Sequence, residues 1–142
     1  MKTFVSFESD FPHEGDEGRP PGLELAQYLY EGLRNAGFQI SGPQNREDWA
    51  WDFLLDKNGY QIETVVGYVN DSPIQWLVAT YVHVSFWKKL YMNSVQVQAE
   101  SALQNYCQVI HELLSGGEFR AIRWYEQIDF DNNDTDKWAA SP

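Results

Sequence analysis

The chain has 142 residues, of which 43% are hydrophobic and 15% aromatic, and ten Lys and Arg face 21 Asp and Glu for a formal net charge of −11 at pH 7. That length suits a single domain, and the hydrophobic content is enough for a core, which excludes wholesale disorder. The negative balance excludes the usual electrostatic routes to nucleic acid and to anionic membranes, both of which need clustered Lys and Arg; it allows a basic protein partner, or it serves solubility alone.

The single cysteine, Cys107, rules out an intrachain disulfide. Met1-Lys2-Thr3-Phe4 starts no long apolar run and no cleavage motif, and no stretch of ~20 apolar residues offers a transmembrane helix. The expected location is the cytoplasm.

Thr3 to Phe7 reads as a first strand, because Phe and Val favour a pleated surface. Ser9 to Gly22 is a loop: it holds three Pro, three Gly and four acids. Connections of this length, roughly 15 residues, are usually functional or mobile. Leu23 to Ala36 is a helix with its apolar stripe on Ala26, Leu29, Leu33 and Ala36, widened by Leu25 and Tyr30. Gly37 stands where a left-handed residue stops a helix. Gly32 weakens the middle by about 1 kcal/mol relative to Ala, and it allows close packing on the sheet.

Phe38 to Ile40 reads as a short second strand, closed by Ser41-Gly42-Pro43. Glu47-Asp48 then lead into Trp49-Ala50-Trp51-Asp52-Phe53-Leu54-Leu55, whose alternation is that of a strand. Asn58-Gly59 is a strong hairpin signal, and Tyr60 to Val69 is the return strand. A two-residue loop pairs Lys57 with Tyr60, and a four-residue loop pairs Leu55 with Tyr60. Either way Trp49, Trp51, Phe53 and Leu55 share a face with Ile62, Thr64, Val66 and Tyr68, expected to be the core face. Asp52, Gln61 and Glu63 fall on the opposite face, expected to be solvated.

After a turn at Asn70 to Pro73, Ile74 to Val84 is apolar on both faces, as a central strand is. Ser85 to Asn93 fits either a strand extension or a helical turn. Ser94 suits the N-cap of a helix from about Val95 to Ser115, with a stripe of Ala99, Ala102, Leu103, Tyr106, Ile110, Leu113 and Leu114. Gly116-Gly117 ends it. Ala121 to Tyr125 is a last strand, and 129–142 reads as an acidic, disordered tail after a single domain over 1–128. The order β-α-β-β-β-β-α-β implies an α+β two-layer sandwich: a mainly antiparallel sheet of five to six strands with both helices on one face.

No nucleophile elbow and no phosphate-binding glycine loop occur. Cys107 lies in a helical apolar stripe and reads as a structural thiol. The histidines (His13, His83 and His111) lack zinc spacing, and neither Asp10 onward nor Asp131 onward fits a calcium loop. No catalytic residue, metal or cofactor is assigned. What remains is an acidic set: Asp10, His13, Glu14, Asp16 and Glu17 with Arg19 in the loop, and Glu47 and Asp48 before the Trp strand. Arg19 and Arg46 offer these acids structural partners.

Gly18-Arg19, then Leu25-Ala26, Leu29, Leu33 and Gly37, then Glu47-Asp48-Trp49-Ala50-Trp51 resemble a pattern in small uncharacterised bacterial proteins, in which an acidic Asp-Trp-Gly-Trp strand follows a Leu-Ala helix. The resemblance covers about residues 18–70 and departs at Ala50, where the pattern has Gly, and at Pro20-Pro21. It implies a bacterial source and brings no established activity.

The functional expectation is a non-enzymatic binding domain, immunity- or inhibitor-like, that presents an acidic surface to a basic protein partner. Two alternatives stand beside it. One is a small enzyme or metal-binding domain using Asp10, His13, Glu14, Glu47 and Asp48, which requires those side chains to converge. The other is a structural subunit or homo-oligomer assembling through aromatic surface.

Overall fold

The computed structural model describes residues 1–15, 18–85 and 93–142. Six strands, β1 (Phe4–Glu8), β2 (Ile40–Arg46), β3 (Ala50–Lys57), β4 (Tyr60–Asp71), β5 (Ile74–Val84) and β6 (Arg120–Tyr125), form one antiparallel sheet in the order β2-β3-β4-β5-β1-β6. The helices are α1 (Leu23–Asn35), α2 (Asn93–Ser115) and a short α3 (Gln127–Asp131). The fold is therefore α+β. None of the described helices is long and apolar enough to cross a membrane.

α1 and α2 cover one face of the sheet. Leu25, Ala26, Leu29 and Leu33 of α1 and Leu103, Tyr106, Cys107, Ile110 and Leu114 of α2 bury against Val5, Phe7, Trp51, Phe53, Ile62, Val66, Trp76 and Val78. The helical stripes are those expected from spacing, except that Ala36 is exposed at the cap of α1. Gly37 follows it in the left-handed region (φ 101°), and the Phe38 amide donates to the Leu33 carbonyl, closing the helix. Gly32 packs on α2 rather than on the sheet: a Cβ there would meet Leu113 at 2.4 Å. One polar tether crosses the core, between the Thr64 and Tyr106 hydroxyls at 2.7 Å.

The Asn58-Gly59 turn takes its two-residue form, with Lys57 opposite Tyr60. Trp51, Phe53 and Leu55 accordingly face the helices beside Val66, Thr64 and Ile62. β5 lies between β4 and β1, and both of its faces are covered.

Three expectations are corrected. The second strand does not stop at Gly42-Pro43; β2 starts at Ile40 and runs through them to Arg46, with an irregularity between Ser41 and Gln44. As an edge strand it tolerates a residue without an N–H. Trp49 does not join the core row. Glu47 and Asp48 both adopt left-handed backbone (φ 51° and 64°) in the β2–β3 turn, so strand alternation begins only at Ala50. The Trp49 ring instead lies over Gly67, and 53% of the residue is exposed. The face opposite the helices is not uniformly solvated either: Phe4, Ala50, Val65, Ala79 and Tyr125 are buried there, and Asp52 is buried with them.

Residues 129–142, read from sequence as a disordered tail, contain most of α3 and then return to the sheet edge. Trp124 and Ala139 exchange two backbone hydrogen bonds of 2.8 and 2.9 Å. Phe130 packs edge-on against Phe4 and Tyr125. Of the stretch Ser85 to Asn93, residues 86–92 lie outside the described residues.

Candidate functional site

The ends of β1, β2 and β4 and the starts of β3, β5 and β6 gather at one end of the sheet, and residues 9–15 and 18–22 of the loop lie along it. This loop is fastened. The Ser9 amide donates to the Ile74 carbonyl at 3.2 Å, and the Phe11 amide bonds the Ser9 hydroxyl. Phe11 stacks on Phe119 (ring centroids 5.7 Å apart) and packs on Tyr28. The buried Trp51 indole donates to the Pro20 carbonyl at 2.9 Å. Gly15 and Gly22 sit where a side chain does not fit: a Cβ would lie 2.6 Å from the Arg19 carbonyl oxygen and 2.6 Å from the Trp76 ring. A connection this long is therefore held by buried anchors at both ends.

The candidate residues distribute along this end. Asp10 is exposed and bonds Arg120 of β6 at 3.1 Å. His13 stacks on the Tyr68 ring and lies 3.7 Å from Asp71. Glu14 and Arg19 are exposed and wall the same cleft. Asp16 lies outside the described residues, as does its neighbour Glu17. Glu47 and Asp48 are exposed in the left-handed turn; Asp48 is held by Asn45 through its amide (2.9 Å) and its carboxylate (2.8 Å). Asn45 also donates to the Gly18 carbonyl at 2.9 Å. The structure thus brings the loop and the turn together through Asn45, while each of Asp10, His13 and Asp48 has its own partner on a different element. Among the described residues no three His, Cys, Asp or Glu side chains are grouped as a metal would require.

Two clefts flank Pro12 at this end and share Glu24. One, of about 260 Å³, is walled by Asp10, Phe11, Glu24 and Glu118. The other, of about 170 Å³, is walled by Glu14, Arg19, Glu24 and Trp51. Glu24 and Glu118 add to the acids expected from sequence. Glu24 is in the first turn of α1, where a carboxylate is favoured, two residues after the loop ends; Glu118 precedes β6, and nothing in the linear sequence links it to the loop. A further cleft, of about 670 Å³, lies elsewhere, between β5, the start of α2 and the N-terminus. None of the sequence-derived candidates is among the residues that line it.

The face opposite α1 and α2 holds a second polar group. Arg46 of β2 reaches over Asp52 of β3 (3.2 Å) and bonds Glu63 of β4, and Glu63 is 3.4 Å from His83 of β5. The Asp52 side chain is only 8% exposed and its Oδ1 has no partner. Burial works against the Arg46 charge, but the hydrogen bond that Arg46 donates to Asp52 and the nearby Glu63 carboxylate outweigh it, and its pKa is raised. Sequence does carry a signal for this cluster. The hairpin register sets Asp52 opposite Val65 and Glu63 opposite Leu54, so the two acids are diagonal neighbours on one face and call for a cation between them. Beside the cluster lies a slot of about 80 Å³ between Trp49 and Tyr81.

No family model, curated protein or solved structure matches the chain.

Proposed function

We propose that this chain is a non-enzymatic binding domain that presents its acidic sheet end to a basic protein partner. The observation that carries this reading is the pinned loop. Asp10, Glu14, Glu24 and Glu118 line two clefts whose walls are held by the Phe11 stack and the Trp51–Pro20 hydrogen bond. Acids displayed on a pre-formed surface meet a cationic partner without first ordering the loop, which lowers the entropic cost of binding. The excess of unneutralised carboxylates adds electrostatic steering, which raises the association rate and makes it sensitive to salt. We also propose kinship with the small bacterial proteins that share the Gly-Arg and Asp-Trp pattern. Gly18 of that pattern accepts a hydrogen bond from Asn45, beside the Glu47-Asp48 turn, so the two halves of the pattern are adjacent here.

The test is affinity capture on the immobilised chain at low and high ionic strength, repeated with Glu14→Lys/Glu118→Lys. The reading expects a basic protein that is retained at low salt, released at high salt and lost in the charge-reversed variant. Capture of nothing basic, or capture indifferent to the two reversals, sinks it.

A further inference from the structure

The acidic loop is charged and wet, and exposed ion pairs alone contribute little net affinity. Most interfaces draw their energy from a few apolar anchors ringed by polar groups. On the face opposite α1 and α2, one place has that form. Val65, Gly67, Leu77 and Ala79 floor a slot of about 80 Å³, and Trp49 and Tyr81 wall it. A cavity of this size holds a single aliphatic side chain; sites for whole small molecules run to about 300–1,000 Å³.

Three observations mark the slot as built for an occupant. Trp49 is 53% exposed, although its place before the Trp51 row would bury it had the strand simply begun earlier. It is held on this face by two consecutive non-glycine residues in left-handed backbone, Glu47 and Asp48, and strain of this kind persists where surrounding structure enforces it, often at functional positions. Gly67 leaves the space that the indole covers; a Cβ there would lie 3.3 Å from the ring.

The charge around the slot selects the chemistry of the occupant. Arg46 lines the slot and is paired with Asp52 and Glu63, and Glu47 and Asp48 precede Trp49 in the turn, so one positive charge stands among four negative ones. We infer that this slot is the apolar anchor point for the same basic partner, receiving one aliphatic side chain that is flanked by Lys or Arg in the partner's chain. The inference rests on the binding reading above and names where that partner's affinity resides. The turn that carries Trp49 is joined to the acidic loop through Asn45, which bonds both Asp48 and Gly18, so one partner can span both.

Two synthetic peptides of equal charge test it: Lys-Lys-Leu-Lys-Lys and Lys-Lys-Gly-Lys-Lys, titrated into the ¹⁵N-labelled chain, with Trp49→Phe used to identify the Trp49 indole signal. The leucine peptide is expected to bind about tenfold more tightly, the increment of burying one such side chain, and to shift the Trp49 indole and the Gly67 amide to saturation. The glycine peptide is expected to shift only the Asp10, Glu14 and Glu118 region. Trp49→Ala, at an exposed position, removes the leucine preference and leaves the glycine peptide's affinity unchanged. Equal affinity of the two peptides, with shifts confined to the acidic loop, overturns the slot and spares the acidic surface. Failure of both peptides to bind overturns both. Shifts at Trp49 and Gly67 that follow protein concentration alone mean that a second copy occupies the slot, and they overturn it as a partner site.

Discussion

Arg46 reaches from the edge strand across two carboxylates on neighbouring strands, and neither of those carboxylates lies in open water. Deleting one partner of a buried ion pair strands the other charge and costs about 3–5 kcal/mol when both are fully buried. The Arg46 side chain is 34% exposed, and solvent screening there reduces the effect. Arg46→Met is therefore expected to destabilise by about 1–3 kcal/mol, and adding Asp52→Asn and Glu63→Gln to recover most of the loss. Urea denaturation of the three proteins decides it, and an Arg46→Met midpoint equal to the parent's refutes the burial argument. Cys107 makes a second prediction at this scale. Burial in the core pushes its thiol up to about 12, offset only in part by a hydrogen bond with Thr80. The folded state then holds this proton more tightly than the unfolded chain, whose thiol titrates near 9. The corresponding stability is present below pH ~9 and is lost as pH rises through ~12. Cys107→Ala should flatten part of the alkaline decline in stability between those limits. Burial raises the Tyr106 phenol in the same direction, so some slope remains.

Among the elements, the long loop and the turn between β2 and β3 show how far a linear pattern carries. Asn58-Gly59 set the hairpin register and Gly37 set the end of α1, because each acts through local backbone conformation. The β2–β3 turn was hidden because Glu47 and Asp48 are not residues that favour left-handed backbone as glycine does. Period-2 alternation also cannot mark its own first residue, so Trp49 read as one more member of the row. The anchoring of the loop was hidden for a different reason: Trp51 and Pro20 are 31 positions apart. Trp51→Phe keeps the ring in the core but removes the indole donor, leaving the Pro20 carbonyl without its partner. The expected loss is about 1–3 kcal/mol, with faster amide hydrogen exchange across residues 9–22. Unchanged exchange there shows that Phe11 alone holds the loop.

At the level of the whole molecule, the last sixteen residues close the sheet. β6 would be an open edge; Ala139 pairs with Trp124, and Phe130 of α3 covers Phe4 and Tyr125 on the face opposite α1 and α2. Lys137 ties the segment to itself through Asp129 and Asp134, and Arg123 stacks on Trp138. Deleting residues 127–142 uncovers those two rings and unpairs Trp124, with an expected cost of about 2–4 kcal/mol. Thermal unfolding of the truncated chain checks this; an unshifted midpoint identifies the segment as a passive cover. The linear sequence determined the two long helices, the apolar stripes, the hairpin register and the acidic character of the surface, because these follow from local conformation and from side-chain period. It said nothing of α3, of the β6–Ala139 pairing, of Arg46 as the cation between Asp52 and Glu63, or of Trp49 crossing to the face opposite α1 and α2. Those depend on which strands become neighbours and on where a turn places the next side chain. Long-range pairing and turn handedness, rather than periodicity, put the slot beside Trp49 and the pinned acidic clefts at the neighbouring end of the sheet.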